Sequence, residues 1–141
     1  MKNNAVAVWN ARNRPFKGTL RTGSGQIVNA AYVAPSEPIR GRATNSIELM
    51  AAALATCFSI SLAAELDQLG LRTRNSTTTS TITADLTNSG WIVSGVHLKV
   101  LAKVPGATPG DFISATIRAK LSCPVCRLLN VEIAMDAKLQ G

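Results

Sequence analysis

One apolar segment most constrains what this chain can fold into. Residues 49–64 contain no charged side chain, and residues 47–69 have the composition of a single helix that ends at Gly70. The segment is apolar or small on every side, so the helix has no face suited to water. At 16 residues it is short for a membrane span, which favours a buried core helix. Because a chain of 141 residues seldom encloses a helix alone, we expect burial between two subunits.

The flanking patterns predict one α+β domain over residues 1–141, in the order βββαββααβ. The central helix should begin at Asn45 or Ser46 as N-cap. Predicted strands cover residues 5–9, 17–22, 26–33, 77–86, 91–104 and 131–139, and two further helices cover residues 111–121 and 123–130. Such a pattern is typical of an antiparallel sheet packed on helices.

The net charge of +7 is concentrated in the first third of the chain. Residues 1–42 hold seven basic side chains and one acid, Glu37. A basic nucleic-acid-binding module is therefore an alternative, although the basic residues are scattered and no DNA-binding motif is present. We favour a solvated basic face, or one or two arginines that serve an anionic site, and expect no nucleic-acid partner.

Three cysteines are too few for a disulfide scaffold, and their number is odd. We therefore expect a reducing compartment, the cytoplasm, with the thiols kept for packing or chemistry. The apolar run at the N-terminus is too short for a signal peptide, and we expect no membrane association.

Cys57 lies in the middle of the apolar helix. A free cysteine in such a place is often a small buried hydrophobic residue. A mid-helix cysteine also gets no help from a helix N-terminus. To become a reactive thiolate it needs a cation beside it, which the surplus arginines could supply.

Cys123 and Cys126 form a Cys-Pro-Val-Cys motif. Pro124 favours the first helical position, which places Cys123 at or near an N-cap, where free N–H groups stabilise a thiolate. Cys126 follows one turn later, so a thioredoxin-like dithiol is possible, although a helix rather than a strand precedes the motif. Zinc is not expected, because the only histidine, His97, lies on a predicted strand face.

Two segments resemble the OsmC/Ohr family of organic hydroperoxide reductases. Residues 44–59, TNSIELMAAALATCFS, resemble its central-helix signature, and residues 122–126, SCPVC, resemble its second cysteine motif. Their separation is typical, and the likeness to the OsmC branch extends over essentially the whole chain. It implies an OsmC-like fold, with antiparallel sheets around a long buried central helix in an intertwined homodimer, and no metal or other cofactor.

The resemblance also implies a thiol peroxidase, with Cys57 as peroxidatic and Cys123 as resolving cysteine. Cys57 would attack the O–O bond of an organic hydroperoxide, release an alcohol, and then form a disulfide with Cys123. The implied reductant is a dithiol, often a lipoyl group on a protein. An apolar lining near Cys57 would favour organic hydroperoxides over hydrogen peroxide, because it can bury an alkyl tail.

The chain departs from the family pattern just before the helix. The family usually has Asn-Pro-Glu there, and that glutamate holds the catalytic arginine. Ile47 occupies the matching position, and Glu48 follows it. The OsmC branch uses an arginine in the loop before the helix, so the resemblance implies thiolate activation by Arg40, with Arg42 next nearest, and orientation of that arginine by Glu48. The arginine of the Ohr branch corresponds most nearly to Arg12 or Arg14.

Glu48 and Cys57 point to opposite sides of one helix. Nine residues separate them, which is about 13 Å along the axis and half a turn around it. If Glu48 orients an arginine at the Cys57 thiolate, the thiol and the carboxylate at one site come from different chains, and we expect an obligate homodimer. The alternative is that Glu48 is an ordinary first-turn carboxylate. The extra thiol, Cys126, stands where relatives often have serine. A non-peroxidatic dithiol protein that uses Cys123 and Cys126 is the other alternative.

Overall fold

The computed structural model describes residues 1–10 and 17–141, which form two compact units, Met1–Leu49 and Met50–Gly141. The strands are β1 (Ala5–Asn10), β2 (Lys17–Thr22), β3 (Ala30–Val33), β4 (Ala43–Thr44), β5 (Asn75–Thr87), β6 (Gly90–Lys103) and β7 (Ile133–Gln140). The helices are α1 (Ser46–Gln68), α2 (Pro109–Ser122) and α3 (Pro124–Leu128). The predicted α+β class and element order are confirmed, with the short β4 as an addition.

The first unit carries a four-stranded sheet in the order β1-β2-β3-β4. Gly18 is needed in β2, because a Cβ there would lie 2.2 Å from the carbonyl oxygen of Val8 and 2.6 Å from the ring of Tyr32. β3 begins later than predicted, since the chain turns before it through Asn29, whose φ is +49°. The unit is thus built on a tight β1–β2–β3 meander.

The second unit carries a three-stranded sheet in the order β5-β6-β7. β5 and β6 pair antiparallel, whereas β7 pairs parallel to β6. In the first unit β4 likewise pairs parallel to β3. The predicted antiparallel sheets need this correction at two pairs, because a long connection lets a strand return in the parallel direction.

The core of the second unit uses one face of α1. The buried apolar side chains come from α1, β6 and α2, and include Leu54, Phe58, Leu62, Leu66, Leu98, Val100, Phe112 and Ala115. The described residues of the second unit leave the opposite face of α1 uncovered, and Ile60 there is 72% exposed. α1 is long and apolar enough to cross a membrane, a property that core helices of soluble proteins share. Burial of the uncovered face between two subunits stays a prediction.

A side-chain cap at one end of α1 and a glycine at the other define where the helix begins and ends. The side-chain oxygen of Asn45 accepts a hydrogen bond from the backbone N–H of Glu48 at 2.8 Å, which confirms Asn45 as the N-cap. Gly70 follows the last turn with a φ of +71°, as expected of a residue that ends a helix. Cys57 therefore lies in the middle of α1, as predicted.

Candidate active site

Three free thiols meet in the second unit, although they come from distant parts of the sequence. Cys57 is half-buried on α1, Cys123 is fully buried between α2 and α3, and Cys126 is buried on α3. The thiols of Cys57 and Cys126 both interact with Cys123. The structure therefore brings together the two cysteines predicted to react and places the third beside them.

Cys123 is shared by two helices. Its backbone N–H donates to the carbonyl oxygen of Ala119 at 2.8 Å and ends α2, while its own carbonyl oxygen accepts from the N–H of Arg127 at 3.0 Å and begins α3. Its sulfur accepts from the N–H of Cys126 at 3.5 Å, and Pro124 opens α3. The predicted N-cap position of Cys123 is confirmed, and backbone on both sides holds the sulfur in place.

Cys57 receives a hydrogen bond from the start of α3. Desolvation raises its pKa above the usual 9.0, the backbone N–H of Val125 lowers it, and the neighbouring Cys123 raises it again. The prediction that Cys57 gets no help from a helix N-terminus is therefore wrong, because Val125 lies in the first turn of α3. No cation within residues 50–141 acts on the Cys57 thiol.

Cys126 is the most strongly perturbed of the thiols for which a shift is resolved. Its pKa is raised from 9.0 to about 12, first by burial and then by the interactions with Cys123 and Cys57, while Lys120 opposes the rise. At neutral pH Cys126 is a protonated thiol and a poor nucleophile, since the thiolate is the reactive form.

The raised pKa of Cys126 predicts a loss of stability in alkali. Between about pH 9 and 12 the folded protein keeps a proton on Cys126 that the unfolded chain releases, so the free energy of unfolding falls as the pH rises through this interval. Below pH 9 the stabilisation is fully present. Denaturant titrations of the reduced protein at about pH 8 and about pH 10.5 should show a smaller loss for Cys126→Ser than for wild type. Equal losses in the two proteins would contradict the assignment.

Arg40 and Glu48 belong to the first unit, whereas the cysteines belong to the second. Arg40 is exposed and lines a cavity of about 440 Å³ together with Lys17 and Arg42. The carboxylate of Glu48 accepts a hydrogen bond from Oγ1 of Thr44 at 2.7 Å. Neither residue forms an ion pair with another described residue. Their roles at Cys57 stay predictions.

Three other positions before or at the start of α1 belong to the family's arginine–glutamate pattern, namely Arg12, Arg14 and Ile47. Arg12 and Arg14, the candidates from the second branch of the family, lie outside the described residues. Ile47 is half-buried in the first turn of α1, where the family pattern has a glutamate. An apolar side chain there cannot hold an arginine, so Glu48 is the acid at this end of the helix.

A half-buried ion pair near the thiols was not predicted. Glu65 is buried on α1 and accepts hydrogen bonds from Nε of Arg118 at 2.9 Å and from Oγ of Ser122 at 3.4 Å. One signal was available, because Glu65 follows Phe58 by seven residues and so shares its buried face. Its partners on α2 could not be predicted, since the contact spans 53 and 57 positions of the chain.

His97 lies on β6, as predicted, with Nε2 2.7 Å from Oδ2 of Asp136 on β7. Over residues 1–10 and 17–141 no group of three or more His, Cys, Asp and Glu side chains is arranged to hold a metal ion.

Comparison with known proteins agrees with the resemblance seen in the sequence. Residues 39–138 match the family model described as OsmC-like protein. The chain is also 31% identical over 135 residues to Peroxiredoxin OsmC of Escherichia coli K12, an alignment that covers 96% of this chain and 94% of that protein.

Solved structures confirm the predicted OsmC-like fold. An OsmC-like protein of unknown function from Vibrio cholerae superposes with a TM-score of 0.81 at 14% identity, covering 98% of this chain and 99% of the other. An organic hydroperoxide resistance protein OsmC from Legionella pneumophila superposes with a TM-score of 0.75 at 21% identity, covering 98% and 97%.

Proposed function

The chain belongs to the OsmC-like protein family, and from that membership we propose that it is a thiol-dependent peroxidase that reduces organic hydroperoxides to alcohols. The contact between the thiols of Cys57 and Cys123 carries the proposal. A second thiol within reach of a peroxidatic thiol lets its sulfenic acid condense to a disulfide before further oxidation.

The reaction proceeds in two steps. The Cys57 thiolate attacks the O–O bond, the sulfur is oxidised to a sulfenic acid, and the alkoxide leaves and takes up a proton as the alcohol. The thiol of Cys123 then attacks the sulfenic sulfur, water leaves, and the Cys57–Cys123 disulfide forms. A dithiol reductant returns two electrons and two protons. We expect this reductant to be a lipoyl-carrying protein and the reaction to take place in the cytoplasm.

The peroxidatic thiolate needs stabilisation beyond what the second unit supplies. The N–H of Val125 favours the thiolate of Cys57, but burial outweighs it and the pKa is raised. A cation would reverse that balance, because a positive charge favours the ionised form. We assign this stabilisation of the Cys57 thiolate to Arg40, oriented by Glu48. Because Glu48 and Cys57 lie on opposite sides of α1, we propose that this Arg40 comes from a second subunit.

The proposed homodimer follows from apolar side chains that are exposed on two helices of the second unit. Ile60 on α1 is 72% exposed, and a stripe on α2 formed by Ile113, Ile117 and Leu121 is 45%, 49% and 67% exposed. These three residues recur at intervals of four, so they share one face of the helix. A second copy that covers such faces would remove them from water, which favours association.

The surroundings of the reactive thiol suit an alkyl substrate. Cys57 packs against the apolar core cluster, and its neighbours one turn away in either direction along α1 are small or apolar. Burial of an alkyl chain contributes about 0.8 kcal/mol per methylene group, so organic hydroperoxides should react faster than hydrogen peroxide.

Oxidation by one equivalent of cumene hydroperoxide should produce the Cys57–Cys123 disulfide and leave Cys126 free. Cys123 contacts Cys57, whereas Cys126 remains protonated because of its raised pKa. Release of cumyl alcohol, thiol counting and peptide mapping measure the outcome, with an equivalent of hydrogen peroxide as the slower comparison.

Other outcomes assign the protein to the alternative classes. A Cys123–Cys126 disulfide present from the earliest time points would favour dithiol exchange without peroxidase chemistry. Failure to consume hydroperoxide, combined with salt-dependent binding to DNA or RNA that survives thiol alkylation, would favour the nucleic-acid-binding module.

A further inference from the structure

We propose that Glu65 is a positioning residue for the resolving step, which holds the end of α2 so that Cys123 stays within reach of Cys57. This inference rests on the proposed peroxidase function and extends it to a residue outside the thiol cluster. It concerns the Glu65 network, formed by Glu65, Arg118 and Ser122.

The Glu65 network joins the two elements that carry the reacting thiols. Glu65 is on α1, eight residues after Cys57, and about 12 Å from it along the helix axis. Arg118 and Ser122 are on the last two turns of α2, and Ser122 immediately precedes Cys123. One carboxylate therefore links the helix of the peroxidatic thiol to the residue next to the resolving thiol.

Each carboxylate oxygen of Glu65 has a donor, and the Ser122 hydroxyl shares its single proton between Glu65 and the carbonyl oxygen of Ala119, which also lies 3.4 Å away. Oε2 of Glu65 accepts from Nε of Arg118 at 2.9 Å, and Oε1 accepts the longer bond from Oγ of Ser122 at 3.4 Å. Burial of a polar side chain is costly unless hydrogen bonds satisfy it, so these bonds favour one position of the Glu65 side chain.

The backbone at Cys123, where α2 ends and α3 begins, has little freedom to move. Cys123 is tied to Ala119 in α2 and to Arg127 in α3 through its backbone, so a shift of the last turn of α2 moves its sulfur as well. Disulfide formation requires the two sulfurs to approach to about 2.05 Å with a defined dihedral angle. A misplacement of about 1 Å can slow an oriented reaction by up to about 100-fold.

The test separates attack on the peroxide from resolution. In Glu65→Ala we expect the Cys57 sulfenic acid to persist at least about 10-fold longer than in wild type, while its rate of formation changes less than about 2-fold. Single-turnover hydroperoxide consumption measures the first step. Trapping of the sulfenic acid with dimedone, followed by mass spectrometry, measures the second. Asp67→Ala, which removes an exposed acid two residues along α1, is the matched control and should behave as wild type.

Further variants distinguish positioning from loss of structure. A purely structural defect lowers both rates in proportion to the folded fraction, whereas positioning changes their ratio. Glu65→Gln keeps one acceptor oxygen, which can accept from Nε of Arg118 or from Oγ of Ser122, but replaces the second acceptor with an amide donor, and it should recover part of the resolving rate. If Glu65→Ala does not fold, Glu65→Gln and Ser122→Ala carry the test, and an unchanged ratio in both overturns the inference.

A diamide assay makes failure of this inference distinct from failure of the proposed function. Diamide oxidises neighbouring dithiols without any hydroperoxide, so formation of Cys57–Cys123 can be followed in wild type and variants alike. Equal diamide rates in wild type and the Glu65 variants overturn the positioning role. A wild type that reacts with diamide but not with hydroperoxide overturns the peroxidase function alone.

Discussion

Cys57→Ser is expected to reduce dithiol-dependent consumption of cumene hydroperoxide by at least about 1,000-fold, to the uncatalysed background. The serine hydroxyl does not ionise near neutral pH and cannot pass through a sulfenic acid, so both the nucleophile and the intermediate are lost. The measurement is hydroperoxide consumption at a saturating concentration of dithiol. Retained turnover in Cys57→Ser would contradict the proposed mechanism.

Two companion variants identify the step at which turnover stops. Cys123→Ser should consume one equivalent of hydroperoxide and then stall, because the sulfenic acid on Cys57 has no resolving thiol. Cys126→Ser is the control, and it should keep turning over, because Cys126 takes no part in either step. Loss of turnover in Cys126→Ser, with Cys57→Ser unaffected, is the pattern expected of dithiol exchange at the second motif.

Mixed subunits should recover activity that neither parent has. We expect Cys57→Ser and Arg40→Ala each to be inactive, and their equal mixture, unfolded and refolded together, to regain about a quarter of wild-type activity. About half of the refolded dimers contain one chain of each kind. Each such dimer has one site with both Cys57 and Arg40 and one site with neither, so one site in four is intact.

The controls for the mixing experiment address the dimer and the choice of arginine. Arg42→Ala, the adjacent exposed arginine, should remain active when tested alone. A monomer by light scattering at micromolar concentration would exclude the shared site altogether. No recovery in mixtures of stable dimers would exclude Arg40 as the activating residue supplied across the interface, and Arg14 would be the next to substitute.

Most of the fold could be predicted because its signals are local. The Asn45 cap, the apolar run and Gly70 place α1 to within a residue at each end, and β2 matches the predicted residues 17–22. Parallel pairing of β7 was not predictable from alternation, since a strand has the same pattern whichever neighbour it joins. β4 is two residues long, too short for any periodic signal.

The site could be predicted only as far as its covalent chemistry. Cys57 and Cys123 were identified by motif, and the N-cap of α3 follows from Pro124. The hydrogen bond from Val125 to Cys57 and the network around Glu65 depend on how α1 packs against the end of α2, which no local pattern encodes. Polar contacts between helices are set by tertiary packing, so they became visible only in the structure.

The way Cys123 is held also affects how this family can evolve. Its backbone ends one helix and begins another, and neither of those hydrogen bonds uses the side chain. Serine is itself a favoured N-cap residue, so exchange of sulfur for oxygen would leave these backbone hydrogen bonds and a side-chain cap in place. A lineage that lost the thiol at this position would keep both helices and the sheet behind them. Preservation of the fold is therefore weak evidence for preservation of the reaction, and the residue at position 123 is the better guide.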